Sequence, residues 1–320
     1  MVGSATNETR RIGLMQEEKT PKVSVCVVTY NQKKYIRQCL QSIVDQETDF
    51  DFEVIVGDDC STDGTRAIVQ EFAERYPEII KPIFREKNIG GSKNYISVHQ
   101  QSVGEYVAHC DGDDWVCPSK LIKQSRYLDA HSECTLVAHR MAVWDAEKQV
   151  SITMRNSQSI SLPALLHNHP MFLNSSIMYR RDKLSDVFVA LNSTFIDFYV
   201  YVAAAMKGDI GFINEVLGNY RRNIGISSKR ELMPYIQAAI DLAASKVGET
   251  PDVLRCRSRQ YLSYAVAALC ANEVSVFRSH LLSSIKADSS WIMPKLIFLA
   301  GFTPKVLKLL ILMYKNRWWA

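Results

Sequence analysis

No C-x-x-C pair occurs among the eight cysteines of this chain of 320 residues. The cysteines stand at 26, 39, 60, 110, 117, 134, 256 and 270, inside hydrophobic runs instead of framing loops. That excludes a zinc ribbon or a disulfide-stapled scaffold and predicts reduced core thiols. The first twenty residues lack an apolar stretch and carry six charges between Glu8 and Lys19, which argues against a secretory signal and for a flexible leader over residues 1–20. Internal repeats and low-complexity tracts are also missing. The apolar C-terminal segment is interrupted by Lys305 and Lys308, so it falls short of the roughly 18 residues a membrane span needs.

Acids are absent from residues 295–320, where Lys295, Lys305, Lys308, Lys315 and Arg317 account for more than the whole formal charge of +4. The rest of the chain is therefore almost neutral. A broad nucleic-acid surface, which needs many cations on one face, is excluded, and no nucleic-acid partner is expected.

What is present is a hydrophobic content of 47% with 22% charged residues, enough for a sizeable core. KVSVCVVTY (22–30) is a continuous β-branched run, as in a strand buried on both faces. Helical spacing follows over 33–46, a second strand over 52–59, a helix over 61–78, a short strand over 79–86, a Gly-rich turn into a helix over 88–101, and a strand over 105–115. Such alternation predicts an open, mostly parallel α/β sheet. Beyond it the pattern is mixed, with a helix near 118–131, strands near 134–145, 175–180 and 210–218, and a helix near 195–207. Everything after Ser228 reads as helical, which places a boundary near 229.

Ligands of open α/β sheets bind beyond the carboxyl ends of the strands. Polar residues gather there: Thr29, Tyr30 and Asn31 after the first strand, Asp58 and Asp59 after the second, and Asp111, Asp113 and Asp114 after the fourth. Turn and cap duty explains one such pair equally well, but less readily so many on one edge. Neither G-x-G-x-x-G nor G-x-x-x-x-G-K-[ST] is present, which excludes a dinucleotide or P-loop phosphate cradle. Phosphate beside clustered carboxylates requires a bridging hard cation, Mg²⁺ or Mn²⁺.

PKVSVCVVTYNQ, VGDDCSTDGT, NIGGSKN and GEYVAHCDGDDW, in that order and spacing, resemble the successive motifs of the family-two glycosyltransferases over about residues 21–228. The resemblance implies a GT-A fold: a mostly parallel, Rossmann-like sheet flanked by helices, with a nucleotide-binding half at 21–115, an acceptor half at 116–228 and a helical C-terminal region at 229–320. It also assigns roles. Thr29, Tyr30 and Asn31 would lie at the nucleotide, with Tyr30 stacking on the base. Asp59 would accept the imide N–H of uracil, Lys93 would approach the base or diphosphate, and Asp111 would meet the ribose. Asp113, in the D-x-D motif, would hold Mn²⁺ or Mg²⁺, while Asp114 would cap the turn into the next helix. A solvated helix face is the plainer role for Lys93.

The general base of such enzymes stands at the start of a helix, and Asp197 in FIDFYVYVAAAMKG is the candidate; a helix-dipole acid is the alternative. Related sequences often carry two acids there, where Ile196 replaces the first, and a histidine where Asn223 stands. Arg221 and Arg222 would clamp the diphosphate. His139, His167 and His169 are assigned no catalytic role.

Lys305, Lys308, Lys315 and Asn316 share one narrow face of a helical tail that is otherwise apolar and closes with Trp318 and Trp319. That pattern suits a helix lying in an anionic leaflet, or alternatively one packed on the protein. The combined expectation is an inverting, metal-dependent hexosyltransferase using a UDP-sugar. Its acceptor would be a saccharide on a lipid carrier, in O-antigen or capsule synthesis, at the inner face of the cytoplasmic membrane. A sugar-nucleotide nucleotidyltransferase and a non-catalytic membrane-peripheral binding protein are the alternatives. The first lacks its Gly- and Arg-rich loop in TYNQKKY, and the second does not explain four intact acids.

Overall fold

The computed structural model describes residues 20–154, 156–168, 172–191, 197–222 and 233–290. The leader, His169, Ile196, Asn223, the boundary near 229 and the basic tail lie outside these residues.

The first half alternates as expected: β1 (Val23–Thr29), α1 (Ile36–Val44), β2 (Phe52–Asp58), α2 (Thr65–Arg75), β3 (Ile80–Phe84), α3 (Gly91–Gln100) and β4 (Tyr106–Asp111). These four strands lie side by side in the order β3, β2, β1, β4, all parallel. Register brings their carboxyl ends level, since Thr29 pairs with Asp58 and Val28 with Asp111. The sheet is covered on both faces. Val23, Val25 and Val27 turn toward α1 and α2, whereas Cys26 packs in a second core with Ile55, Val107 and Val98 of α3.

Several boundaries differ from the sequence pattern. The fourth strand ends at Asp111 and not at 115, because residues 112–114 turn and Trp115–Val116 form β5, antiparallel to the late strand β10 (Asp209–Arg221). The helix expected from 61 starts at Thr65: Asp63 accepts the Thr65 N–H at 3.0 Å, and Gly64 takes a left-handed φ of 97° before the helix opens.

The second half is mixed. After α4 (Lys120–Ala130), β6 (Cys134–Asp145) runs parallel to β10, while β9 (Met178–Arg180) sits antiparallel between β4 and β6. Between β6 and α7 the chain also forms β7 (Lys148–Ile152), β8 (Ser159–Ile160), α5 (Leu162–Asn168) and α6 (Arg181–Ala190), for which the sequence offered no clear period. Helix α7 (Asp197–Lys207) is apolar on nearly every side and is buried accordingly. The C-terminal region is helical as expected, with α8 (Met233–Val247), α9 (Pro251–Cys270) and α10 (Val274–Ala287). Ala239, Ile240 and Ala243 of α8 and Val253 and Cys256 of α9 join the same core as α5 and α7. Among the described residues no helix is long and apolar enough to cross a membrane.

Candidate active site

The edge formed by the carboxyl ends of β1, β2 and β4 is laced together before it meets any ligand. Asn31, at a left-handed φ of 52°, accepts the Thr62 N–H at 2.8 Å, and its own N–H donates to Ser61 Oγ at 2.9 Å. Asp63 accepts the Lys33 N–H, and Thr65 Oγ1 accepts the Gln32 N–H. Asn31, expected at the nucleotide, joins the loop after β1 to the loop after β2 through its side chain. Tyr30 beside it is 38% exposed, free to offer a ring face. Thr29 is buried and donates to Gln32 Oε1 at 2.8 Å.

Asp59 is buried beneath the NIGG turn, where one carboxylate oxygen accepts the Ile89 N–H at 2.8 Å and the other the Gly90 N–H at 2.9 Å. A carboxylate oxygen accepts more than one hydrogen bond, so these contacts leave capacity for a base edge. They also explain the acid itself, since no neutral side chain satisfies two successive amides symmetrically. Lys93 lies exposed in the first turn of α3.

The D-x-D segment is held from two sides. Gly112 must be glycine here: a Cβ would lie 2.6 Å from Gln32 Oε1 and 2.9 Å from Thr29 Cβ. Ser175, in the short 3₁₀ turn Asn174–Ser176, accepts the Asp111 N–H at 2.9 Å and donates to Asp114 Oδ2 at 2.6 Å. Asp114 was expected to cap the turn into the next helix; its carboxylate is occupied by Ser175 and by the backbone N–H of Arg221, which it accepts at 2.9 Å.

The acids are electrostatically distinct. Burial pushes the Asp113 carboxyl up to about 7, and the neighbouring Asp111 adds to the rise. Asp114, fully buried, is raised by burial and then by Asp113 and Asp111. Asp111 moves the other way: burial favours a rise, but His109 and Ser175 outweigh it and hold the carboxyl below its ordinary range. Behind these acids Cys39 Sγ and Cys110 Sγ lie 3.8 Å apart, both buried.

Asp197 sits at the first position of α7, where it accepts the Phe198 N–H at 2.9 Å and contacts Tyr201 Oη at 3.2 Å. Burial raises its pKa and Asp111 contributes in the same direction, so the two acids feel one another. Tyr201 also donates to Asn174 Oδ1 at 3.2 Å, which connects α7 to the turn that carries Ser175.

The two arginines are engaged within the chain. Arg221 lies over the rings of Trp115 at 4.2 Å and Tyr35 at 4.8 Å, and donates to the Asp113 carbonyl and to Gln38. Arg222 pairs with Asp145 at 2.7 Å. Both would have to exchange these partners to clamp a diphosphate. His139 is buried in β6 and His167 is exposed at the end of α5.

Among the described residues no group of three or more His, Cys, Asp or Glu side chains is arranged to hold a metal. A cation bound mainly by diphosphate oxygens needs only one or two protein carboxylates, and Asp113, raised by burial and by Asp111, is a carboxylate that a nearby cation would stabilise. The residues present fit Mg²⁺ or Mn²⁺ in that restricted sense.

Sequence reasoning missed Ser175, Asn174, Tyr201, His99 and His109. Only His109 carried a visible signal, a lone imidazole in the apolar run YVAHC two residues before the D-x-D.

The profile described as glycosyl transferase family 2 matches residues 24–188. An uncharacterized protein of Mycobacterium tuberculosis is 40% identical over 205 residues, covering 63% of this chain and 59% of that protein. The putative glycosyltransferase EpsE of Bacillus subtilis is 32% identical over 165 residues, 50% of this chain and 56% of EpsE. The chain thus spans less than two thirds of the length of these curated relatives. Among solved structures, Staphylococcus aureus TarS 1–349 in complex with UDP-GlcNAc superposes with a TM-score of 0.59 at 20% identity, over 83% of this chain and 92% of that one. The mannosyltransferase PcManGT of Pyrobaculum calidifontis, in complex with GDP-Man and Mn²⁺, gives 0.51 at 17% identity, over 85% and 88%. The fold is therefore of the GT-A type.

Proposed function

Because the chain belongs to glycosyl transferase family 2, we propose that it transfers a hexose or N-acetylhexosamine from a UDP-sugar, with inversion, to a hydroxyl of a saccharide acceptor. The observation that carries this reading is the acid set at the carboxyl edge of the sheet: Asp111 and Asp113 on the donor side, with Asp111 adding to the rise that burial gives Asp197 at the start of α7. TarS is described with UDP-GlcNAc and UDP, and PcManGT with GDP-Man and Mn²⁺, which supports a nucleotide sugar as donor.

In the proposed mechanism Tyr30 offers its ring to the base, Asp59 accepts the imide N–H while fixed by the 88–90 turn, and Asp111 orients the ribose. Lys93, exposed above that turn, reaches the diphosphate. Asp113 would hold Mg²⁺ or Mn²⁺, which when bound offsets the charge of the leaving diphosphate. Asp197 removes the proton of the acceptor hydroxyl as its oxygen attacks the anomeric carbon on the face opposite the diphosphate; a carboxyl raised by burial is a better base than an ordinary one. Arg221 and Arg222 join the diphosphate only after releasing Asp113 and Asp145.

The proposal extends to organisation. Residues 21–228 are the catalytic domain and 229–320 a helical region whose basic tail meets an anionic membrane, the acceptor being a lipid-linked surface polysaccharide. Curated relatives include the poly(ribitol-phosphate) β-N-acetylglucosaminyltransferase TarS, 29% identical over 210 residues, and the putative teichuronic acid biosynthesis glycosyltransferase TuaG, 38% over 108. These support a surface-polymer role.

The test is a panel of nucleotide sugars with Mg²⁺ or Mn²⁺, reading release of nucleoside diphosphate, together with calorimetry of UDP and CDP. UDP-sugars should turn over, turnover should stop in EDTA, and UDP should bind several-fold tighter than CDP, whose ring nitrogen would face the Asp59 carboxylate with a lone pair. Equal affinities would remove Asp59 from base selection, and undiminished turnover in EDTA would remove the metal.

A further inference from the structure

Period-two alternation along β4 places Val107 and His109 on one face and Tyr106, Ala108 and Cys110 on the other. His109 therefore enters a core of Tyr95, Val98 and Tyr179 that supplies few polar partners, and it is fully buried. An imidazole in such surroundings must find partners for both nitrogens.

It does so in a line. His109 Nε2 lies 3.1 Å from Asp111 Oδ1, and its Nδ1 lies 3.1 Å from His99 Nε2. His99, on α3, in turn places Nδ1 2.8 Å from Tyr179 Oη on β9. The rings of Tyr95 and Phe188 stack on His99 at 4.0 and 4.8 Å and close the line from the side. Only its Asp111 end reaches the half-exposed site edge, since that carboxylate is 35% exposed while His99 and Tyr179 are buried. The far end borders a cavity of about 70 Å³ shared with Arg181 and Ser185, too small for a sugar or nucleotide.

Hydrogen-bond accounting gives the line a direction. An Asp111 carboxylate only accepts, so a neutral His109 must donate through Nε2–H and accept at Nδ1. His99 must then donate through Nε2–H and accept at Nδ1, and the Tyr179 hydroxyl is the terminal donor. Every proton is used once. Reversing the line would leave the Tyr179 hydroxyl proton without any of these acceptors.

Resting on the nucleotide-sugar reading, we propose that His109 is a positioning residue for donor binding: it aims the Asp111 carboxylate at the ribose from behind the sheet, with its own tautomer and orientation set by His99 and Tyr179. A polar pair that merely satisfies itself in the core would contribute stability and leave donor recognition untouched. The positioning role instead predicts a rise in donor KM and a loss of UDP affinity larger than any loss in kcat, because Asp111 would touch the part of the donor that does not react.

Two measurements on the full chain decide the matter. Calorimetry with UDP and Mg²⁺, beside thermal melts, compares the native protein with His109→Phe, His109→Gln and Tyr179→Phe. His109→Phe should weaken UDP binding about 5- to 20-fold, less than the full worth of a hydrogen bond to a charged group, because Asp111 keeps its Ser175 partner and loses only its aim. His109→Gln, whose amide N–H stands near the position of Nε2–H, should recover most of that loss. Tyr179→Phe, remote from the ligand, should weaken binding by roughly 2- to 5-fold, because His99 then loses its fixed tautomer. Independently, long-range ¹H–¹⁵N spectra of the [¹⁵N]histidine-labelled protein should show His99 and His109 both as Nε2–H tautomers. UDP affinity within twofold of native in His109→Phe and Tyr179→Phe, with only the melting temperature changed, would overturn the positioning role. An Nδ1–H tautomer at either histidine would overturn the direction of the line. Should the native protein bind no nucleoside diphosphate, the functional reading falls while the spectra still test the line.

Discussion

The backbone N–H of Arg221 donates to the Asp114 carboxylate at 2.9 Å, so the last residue of β10 is fastened to the acid that follows the D-x-D pair. Asp113 and Asp114 are adjacent in sequence and opposite in duty. Asp114→Ala orphans the Arg221 amide and the Ser175 hydroxyl and should cost about 2–4 kcal/mol, visible in urea unfolding. Asp113→Asn should abolish most turnover yet leave the melting temperature unchanged or raised at pH 8, because the charge it removes is one that burial and Asp111 disfavour. Equal destabilisation by both substitutions would contradict this division.

Asp197→Asn keeps the size of the side chain and removes its basicity. Turnover should fall by roughly 10² to 10⁴, the span usual for general acid–base catalysis, with UDP affinity close to native. If calorimetry shows that UDP binding is lost with turnover, Asp197 is a binding or structural residue.

Gly112→Ala tests the packing of the D-x-D turn. The added methyl meets Gln32 Oε1 at 2.6 Å and Thr29 Cβ at 2.9 Å, so the turn or the loop after β1 must move. The expected cost is about 1–3 kcal/mol, accompanied by weaker donor binding. Native stability and native UDP affinity together would show that the loop yields freely.

His139 predicts an acid limb of stability. Burial, with help from the Lys120 cation, lowers its pKa from the ordinary 6.5 to about 3. Since the folded value lies below the unfolded one, the stabilisation is complete above about pH 6.5 and is lost as the pH falls toward 3. Between pH 7 and 4.5 the native protein should lose about 2–3 kcal/mol more than His139→Asn, whose amide retains a donor for the Arg140 carbonyl. His99, also lowered by burial, is common to both proteins and cancels in the difference. Parallel stability curves would refute the assignment.

The nucleotide half was legible because its strands are buried on both faces: continuous runs such as VSVCVVT and acids at their carboxyl ends are local signals, and register needed no further information. The places of Asp111 and Asp197 were legible for the same reason, since one ends β4 and the other opens α7, and Asp113 lies in the turn that follows β4. The side-chain partners of Asn31 and Asp114, Thr62 and Arg221, could not be read because they lie 31 and 107 residues away. Ser175 and Tyr201 left no mark at all, a serine in a 3₁₀ turn and a tyrosine in an apolar helix being unremarkable until the fold sets Ser175 against Asp111 and Tyr201 against Asn174. The second half, with its short strands and mixed directions, offers no period long enough to read.

The two sulfurs behind the acids turn the site into its own reporter. Cys39 and Cys110 bridge α1 and β4, with Sγ atoms 3.8 Å apart, and the Cys110 thiol is held well above its ordinary pKa by the Cys39 hydrogen bond and by burial. Neither reacts with an alkylating reagent while α1 is seated, because the thiolate is the nucleophile and no path reaches it. The rate at which these cysteines become modified therefore counts the moments when α1 lifts from the sheet, which gives a local opening free energy for the donor edge. A ligand bound at that edge would slow the modification in proportion to its occupancy, so the thiols would measure binding without any turnover.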